Sequence, residues 1–173
     1  MKYLLLLPLA VQGLAILVDE FHFHFARGLP RRDLPVAPRI GHPLDTFTVL
    51  APILWLVFSV PSERNLIVYI VAAAFSCFFV TKDEFVHADL CPPAEHLNHA
   101  VLFVAHPLVF AALALLWPLY HAPAGAVAWL EHFRGLESAL PIQAAAMALY
   151  MIYQTVYWNL IRKAPATEFE ARQ

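Results

Sequence analysis

The sequence predicts an all-α integral membrane protein, folded as a bundle of about five transmembrane helices. Three observations lead to this fold class: an unusually apolar composition, a series of long apolar segments, and a one-sided distribution of basic residues. Hydrophobic residues make up 61% of the 173 residues and charged residues only 14%, whereas a soluble domain averages about 25% charged residues. Such a chain requires a low-dielectric solvent, and the lipid bilayer supplies one.

The first three predicted helices follow from apolar runs with identifiable ends. The first, at residues 3–25, is not followed by a small-x-small cleavage pattern, so we expect a retained helix rather than a secretory signal. The second, at 44–61, comes directly after Pro43, because proline suits the first turn of a helix. The third, at 65–90, continues beyond its apolar part until the Cys-Pro-Pro sequence around Pro92 ends it.

Two further predicted helices complete the bundle, at residues 94–120 and 139–162. Each segment has roughly the 20 residues that a helix needs to cross the hydrocarbon core. The five segments leave no room for a separate soluble domain, so residues 1–173 are predicted to form a single transmembrane domain.

The basic residues indicate the orientation of these helices, since cytoplasmic connections are enriched in Lys and Arg. Five spans place eight of the 11 basic residues on one face and three on the other. The eight are Arg27, Arg31, Arg32, Arg39, Lys82, Arg162, Lys163 and Arg172, and the three are Lys2, Arg64 and Arg134. The sequence therefore predicts an external N-terminus and a cytoplasmic C-terminus, in a multi-pass protein of a bacterial inner membrane or an equivalent membrane.

Histidine and acidic side chains concentrate at the predicted cytoplasmic face. Six of the nine histidines fall there, His106 lies about two turns deeper, and only His121 and His132 lie at the external face. The six are His22, His24, His42, His87, His96 and His99, and the acids beside them are Asp19, Glu20, Asp45, Asp83, Glu84, Asp89 and Glu95. Ionisable residues inside a membrane are functional candidates by default, so this asymmetry predicts a metal site.

Helical phase indicates which of these side chains can converge. At 100° per residue, Glu84 and His87 share a helix face, with Asp83 beside them. The same rule places four residues within roughly a 100° stripe of the fourth helix: Glu95, His96, His99 and His106. On the first helix, Glu20 and His24 are neighbours, and Asp19 and His22 form a second pair that faces elsewhere. His22 and His24 lie about 200° apart, so a regular helix can bring only one of them to a given site.

Carboxylate and imidazole ligands together suit two borderline-hard cations, each with mixed oxygen and nitrogen donors. We expect two iron ions, with zinc or manganese as alternatives. The predicted metal ligands are Glu20, His22, His24, His42, Asp45, Asp83, Glu84, His87, Glu95, His96, His99 and His106, with Glu84 and Glu95 as the catalytic carboxylates. On the fifth helix, an aromatic belt explains the tyrosines most simply. The alternative is that Gln154 and Tyr157 support the metal ligands or line a substrate groove.

The Glu84-Phe85-Val86-His87 turn is the Glu-x-x-His unit of bundle di-iron proteins, and His96-Leu97-Asn98-His99 is a short histidine pair. With these features the chain resembles the membrane-bound histidine-rich di-iron enzymes, the fatty-acid hydroxylase and desaturase class. The usual His-x-x-x-His and His-x-x-His-His boxes of that class are absent, so no role is transferred to an individual residue. The resemblance implies iron at the cytoplasmic helix ends and an oxidative reaction.

The sequence therefore favours a di-iron oxidoreductase that acts on a lipidic or apolar small molecule and draws on an electron donor. Nucleic acid is not expected as a partner, because the net charge is −2 and no basic-aromatic patch is present. Two alternatives stay open. One is a zinc-dependent intramembrane hydrolase, and the other is a non-enzymatic metal-binding, transport or haem protein.

Overall fold

The computed structural model describes residues 1–26, 37–81 and 92–161, except for the side chains at 24–26, 37–40, 42, 158 and 159. Within these ranges the chain is helical and forms no strand, which confirms the all-α prediction. The main helices are α1 (Leu7–Leu17), α2 (Ala37–Phe58), α3 (Glu63–Phe79), α4 (Pro93–His121) and α5 (Ala139–Val156). One short 3-10 segment precedes α1 at Lys2–Leu6, and another lies in the α4–α5 connection at Ala128–Phe133. π-Helical turns extend α1 over Val18–Ala26 and α5 over Tyr157–Ile161.

Three helical stretches are long and apolar enough to cross a membrane, within the part of the chain that is described: Lys2–Phe23, Pro93–His121 and Ala139–Val156. The apolar part of α2, Pro43–Phe58, is shorter. Large apolar side chains also face outward, and Phe58 and Phe78 are 81% and 78% exposed. Exposed apolar surface on this scale is typical of a bilayer-facing protein. The chain is therefore membrane-associated.

The ends of the helices differ from the sequence prediction in places. Helix α2 begins at Ala37 rather than after Pro43, so that this proline and Pro52 lie inside the helix. Ser62 caps α3, and its Oγ accepts a hydrogen bond from the Asn65 amide at 3.2 Å. The predicted continuation of the third span towards residue 90 enters 82–91, which lie outside the described residues.

The bundle core forms where α2 packs against α5, α1 against α4, and α3 against both α2 and α4. Its centre holds fully buried Ile53, Leu56, Leu113 and Leu140. Tyr69 is buried in the same core and satisfies its hydroxyl by donating to the Phe110 carbonyl at 2.7 Å. Polar groups inside an apolar bundle need such partners, and this requirement recurs at the candidate site.

The α4–α5 connection closes the end of the bundle at which α4 ends and α5 begins, around the guanidinium group of Arg134. Arg134 donates to the carbonyls of Leu119, Ala122 and Pro123, which lie at or just beyond the end of α4. It also pairs with Glu131 at 2.7 Å, and this hydrogen bond holds the pKa of the Glu131 carboxyl below its ordinary value. Lys2 joins this end by donating to the Arg134 carbonyl at 3.0 Å.

Candidate metal centre

Three side chains with metal-ligating atoms converge where the extension of α1 meets the beginning of α4. One ligand atom each from Asp19, Glu95 and His99 lies within 4.8 Å of the other two. Glu95 and His99 are four residues apart, which places them on one face of α4. Asp19 reaches them from the π-helical segment that follows α1, and its Oδ1 lies 3.2 Å from His99 Nε2. Two helices therefore supply one cluster.

The cluster is shielded from solvent. Glu95 is 1% exposed, His99 is 8% exposed, and Asp19 is partly buried. Asn98 holds Asp19 in place, because its Nδ2 lies 3.1 Å from the Ala15 carbonyl and 3.4 Å from Asp19 Oδ1. Placing two carboxylates in such a site is costly unless a positive charge or protons accompany them. A divalent cation supplies that charge, and mixed oxygen and nitrogen donors suit iron, manganese or zinc.

Glu20 follows Asp19 directly but faces a different helix. Its carboxylate is 1% exposed and accepts hydrogen bonds from two α5 hydroxyls, Tyr150 at 3.2 Å and Tyr153 at 3.0 Å. The structure thus brings Asp19, and not Glu20, into the three-residue cluster. Tyr157 continues the aromatic row by stacking on Tyr153, with ring centroids 5.4 Å apart.

His106 lies deep in the bundle and joins three helices. Its Nδ1 is 2.9 Å from Gln12 Nε2 on α1, and its Nε2 is 3.0 Å from Ser76 Oγ on α3. Ser76 donates in turn to Thr48 of α2 at 3.3 Å, and Thr48 donates to the Asp45 carbonyl at 2.8 Å. Both ring nitrogens of His106 are thus occupied by protein groups, which gives this histidine a bridging role in the described arrangement.

A cavity of about 130 Å³ lies beside the cluster and extends to His106. Asp19 and His99 form one part of its wall, so the candidate ligands and the cavity are continuous. The other polar lining residues are Gln12, Asp45, Thr46, His106, Tyr150 and Gln154. The apolar lining residues are Ile16, Val49, Val80, Leu102, Phe103 and Met147. The cavity therefore combines a few polar groups with apolar walls, as small-molecule sites do.

The remaining predicted ligands divide into two groups. Among the described residues, His22 is exposed, and its ring contacts that of Phe23 edge to face, with centroids 4.9 Å apart. His96 is half-buried beside Glu95 but is not part of the three-residue cluster. The others lie outside the described residues or have side chains that do: His24, His42, Asp83, Glu84 and His87. Their participation in the site stays a prediction.

Several polar residues of the site are absent from the predicted set, among them Asp19 and Gln12. The sequence places Asp19 among the acids of the predicted cytoplasmic face, but on a regular helix it points to a different side from Glu20 and His24. The π-helical turns change this phase, because their hydrogen bonds close five residues apart rather than four. Gln12 could have been found from the sequence, because a glutamine within an apolar span is unusual and needs a polar partner.

The class defined by this fold and site is a membrane-associated helical bundle with a buried carboxylate–histidine cluster. Comparison with protein-family models, curated proteins and solved structures finds no match to the chain. The functional argument therefore depends on the site itself.

Proposed function

We propose that the protein is a multi-pass membrane metalloenzyme that acts oxidatively on a lipidic or apolar molecule at the Asp19–Glu95–His99 cluster. The observation that carries this proposal is the convergence of the three ligand atoms within 4.8 Å, in a buried place beside a cavity with apolar walls. Three protein ligands leave coordination positions open, as catalytic metal sites require.

The chain's residues have separate tasks in this proposal. Asp19, Glu95 and His99 hold the metal ion, which when bound supplies the redox chemistry. Asn98 fixes the Asp19 carboxylate, as groups that support metal ligands commonly do. The apolar part of the cavity wall positions the substrate and excludes water from the centre.

Iron is the proposed metal, and two ions are proposed in total. Asp45 lines the same cavity as Asp19 and His99, so it is positioned near the first ion. Glu84 and His87, together with Asp83, His24 and His42, are the further ligands proposed for the second. The electron donor that the reaction needs would approach from the cytoplasmic face.

We also propose the full topology of five spans, with an external N-terminus and a cytoplasmic C-terminus, in a bacterial inner membrane or its equivalent. Support comes from the uneven distribution of Lys and Arg between the two faces. In this topology the metal cluster lies at the cytoplasmic ends of α1 and α4, where an apolar substrate can enter from the bilayer.

Metal analysis of protein purified without chelator tests this function. Wild-type protein is expected to contain iron, and Asp19→Asn and His99→Ala are expected to lose most of it. His132→Ala is the matched control, because it removes a histidine from the 3-10 segment at the other end of the bundle. Protein that arrives without metal and binds none of iron, zinc and manganese would overturn the proposal.

A zinc-dependent hydrolase is the second candidate, because three protein ligands with an open fourth position are also the catalytic zinc arrangement. The same analysis separates the two candidates by the metal that is retained. The haem alternative has less support. Haem needs axial histidines that face each other within the bilayer, and His106 is the histidine that lies deep enough. Both of its ring nitrogens are hydrogen-bonded to protein side chains.

A further inference from the structure

Two buried amide side chains line the cavity from opposite helices. Gln12 of α1 is 3% exposed and Gln154 of α5 is 4% exposed. One end of each amide is hydrogen-bonded to a neighbouring side chain. Gln12 Nε2 lies 2.9 Å from His106 Nδ1, and Gln154 Oε1 accepts a hydrogen bond from the Thr46 hydroxyl at 2.6 Å. These contacts fix the amides and leave the other end of each available.

Those other ends have no protein partner in the described part of the chain. Gln12 Oε1 is buried and accepts no hydrogen bond, and Gln154 Nε2 donates none to any described residue. Leaving a buried acceptor such as Gln12 Oε1 without a partner is costly. The two amides thus present one acceptor and one donor that a bound molecule can satisfy.

The size and charge of the cavity restrict that molecule. Its volume, about 130 Å³, is close to that of the roughly 150 Å³ protein cavity that accommodates benzene, so it takes about six heavy atoms. It therefore holds one end of a lipid-sized molecule. In the metal-free protein, the carboxylates of Asp19 and Asp45 in the wall disfavour an anionic end such as a carboxylate or phosphate.

We propose that the cavity binds the hydroxyl end of a long-chain aliphatic alcohol. A hydroxyl group both donates and accepts, so it can donate towards Gln12 Oε1 and accept from Gln154 Nε2. The adjoining carbon atoms then contact Ile16, Leu102 and Phe103. The hydroxyl end of the bound alcohol would lie beside the proposed metal centre. That the alcohol is the substrate rests on the proposed function, whereas its binding in the cavity does not.

Photolabelling in lipid nanodiscs tests this inference. The probe is a long-chain alcohol with a diazirine near its hydroxyl end, compared with the alkane and the carboxylic acid of equal length and equal diazirine position. The alcohol is expected to label cavity-lining segments of α1, α4 and α5, and unlabelled alcohol is expected to compete. Gln154→Met is expected to lower labelling about tenfold, as the loss of one buried hydrogen bond predicts. Gln143→Met, the same change elsewhere on α5, is expected to leave it unchanged.

Three results would overturn the inference: equal labelling by alkane and alcohol, stronger labelling of the metal-free protein by the acid, or full labelling of Gln154→Met. Competition in the wild-type protein provides the test if a variant fails to fold. Iron content measured on the same samples separates the two proposals. Protein that retains iron but does not prefer the alcohol contradicts this inference alone, whereas protein that prefers the alcohol but binds no metal contradicts the proposed function alone.

Discussion

Replacement of His106 by leucine tests the hydrogen-bonded connection between helices that surrounds the cavity. The histidine contacts Gln12 on one side and Ser76 on the other, at 2.9 Å and 3.0 Å. Leucine fills much of the space but offers neither nitrogen. His106→Leu therefore leaves two buried polar groups on α1 and α3 without their partner on α4.

The expected loss of stability follows from these two contacts. Hydrogen bonds between membrane helices contribute about 0.6 kcal/mol on average and up to about 1.7 kcal/mol. Two of them give a loss of about 1–3 kcal/mol, towards the upper end because His106 and both of its partners are buried. Gln12→Leu removes one of the two contacts but also removes the unpartnered Oε1 acceptor, so its own loss of stability is expected to be smaller than that of His106→Leu.

Unfolding of purified protein in mixed detergent micelles, followed by circular dichroism, measures these differences. In a double-mutant cycle, His106→Leu and Gln12→Leu are expected to show a coupling energy of about 0.6–1.7 kcal/mol. Gln143→Leu provides a control on a side chain that is only partly buried. A coupling energy near zero, or a His106→Leu variant that is more stable than the wild type, would refute the bridging role of His106.

Two further predictions concern the support of the proposed metal ligand Asp19 and the α4–α5 connection. Asn98→Ala removes the amide that orients Asp19, so iron affinity measured by competition with a chelator is expected to fall about 10–100-fold; an unchanged affinity would contradict the supporting role. Arg134 holds the pKa of Glu131 below its ordinary value, so the ion pair stabilises the loop fully above the ordinary carboxyl pKa and ceases to do so as pH falls through the lowered value. The Gly125 amide donates to Glu131 at 2.9 Å, so its protection factor in hydrogen exchange, the measured rate corrected for the intrinsic rate at each pH, is expected to fall across that acidic range. In Arg134→Gln the transition is expected at higher pH, and a transition that does not move would contradict the assignment.

The sequence predicted the helices well where apolar runs and prolines mark their ends. The predicted spans 94–120 and 139–162 correspond closely to Pro93–His121 and Ala139–Val156. Helix α2 begins earlier than the second predicted span, at Ala37, because Pro43 lies inside the helix rather than at its beginning. A proline can lie inside a helix when packing satisfies the surrounding chain, and packing is not visible in a local pattern.

The candidate site was predicted in outline and altered in detail. Periodicity brought Glu95 and His99 together, because α4 is regular at that point. On the first helix it separated Asp19 from Glu20 and His24 and so left Asp19 out of the predicted ligands, because a regular phase does not hold through the π-helical turns. The pairing of amides with partners on other helices, as in Gln12 with His106 and Gln154 with Thr46, depends on how helices pack. A single sequence contains no information on such pairs beyond the presence of polar residues within apolar spans.

X-ray absorption spectroscopy of the iron-loaded protein tests the central claim most directly, because it reports the atoms bound to the metal. We expect nitrogen and oxygen ligands without sulfur, together with the outer-shell scattering that is characteristic of a coordinated imidazole. The iron that His99→Ala retains or takes up from excess iron is expected to show weaker imidazole scattering, whereas His132→Ala is expected to leave the spectrum unchanged. A spectrum that is identical in wild type and His99→Ala, or one dominated by sulfur ligands, would contradict a metal centre at Asp19, Glu95 and His99.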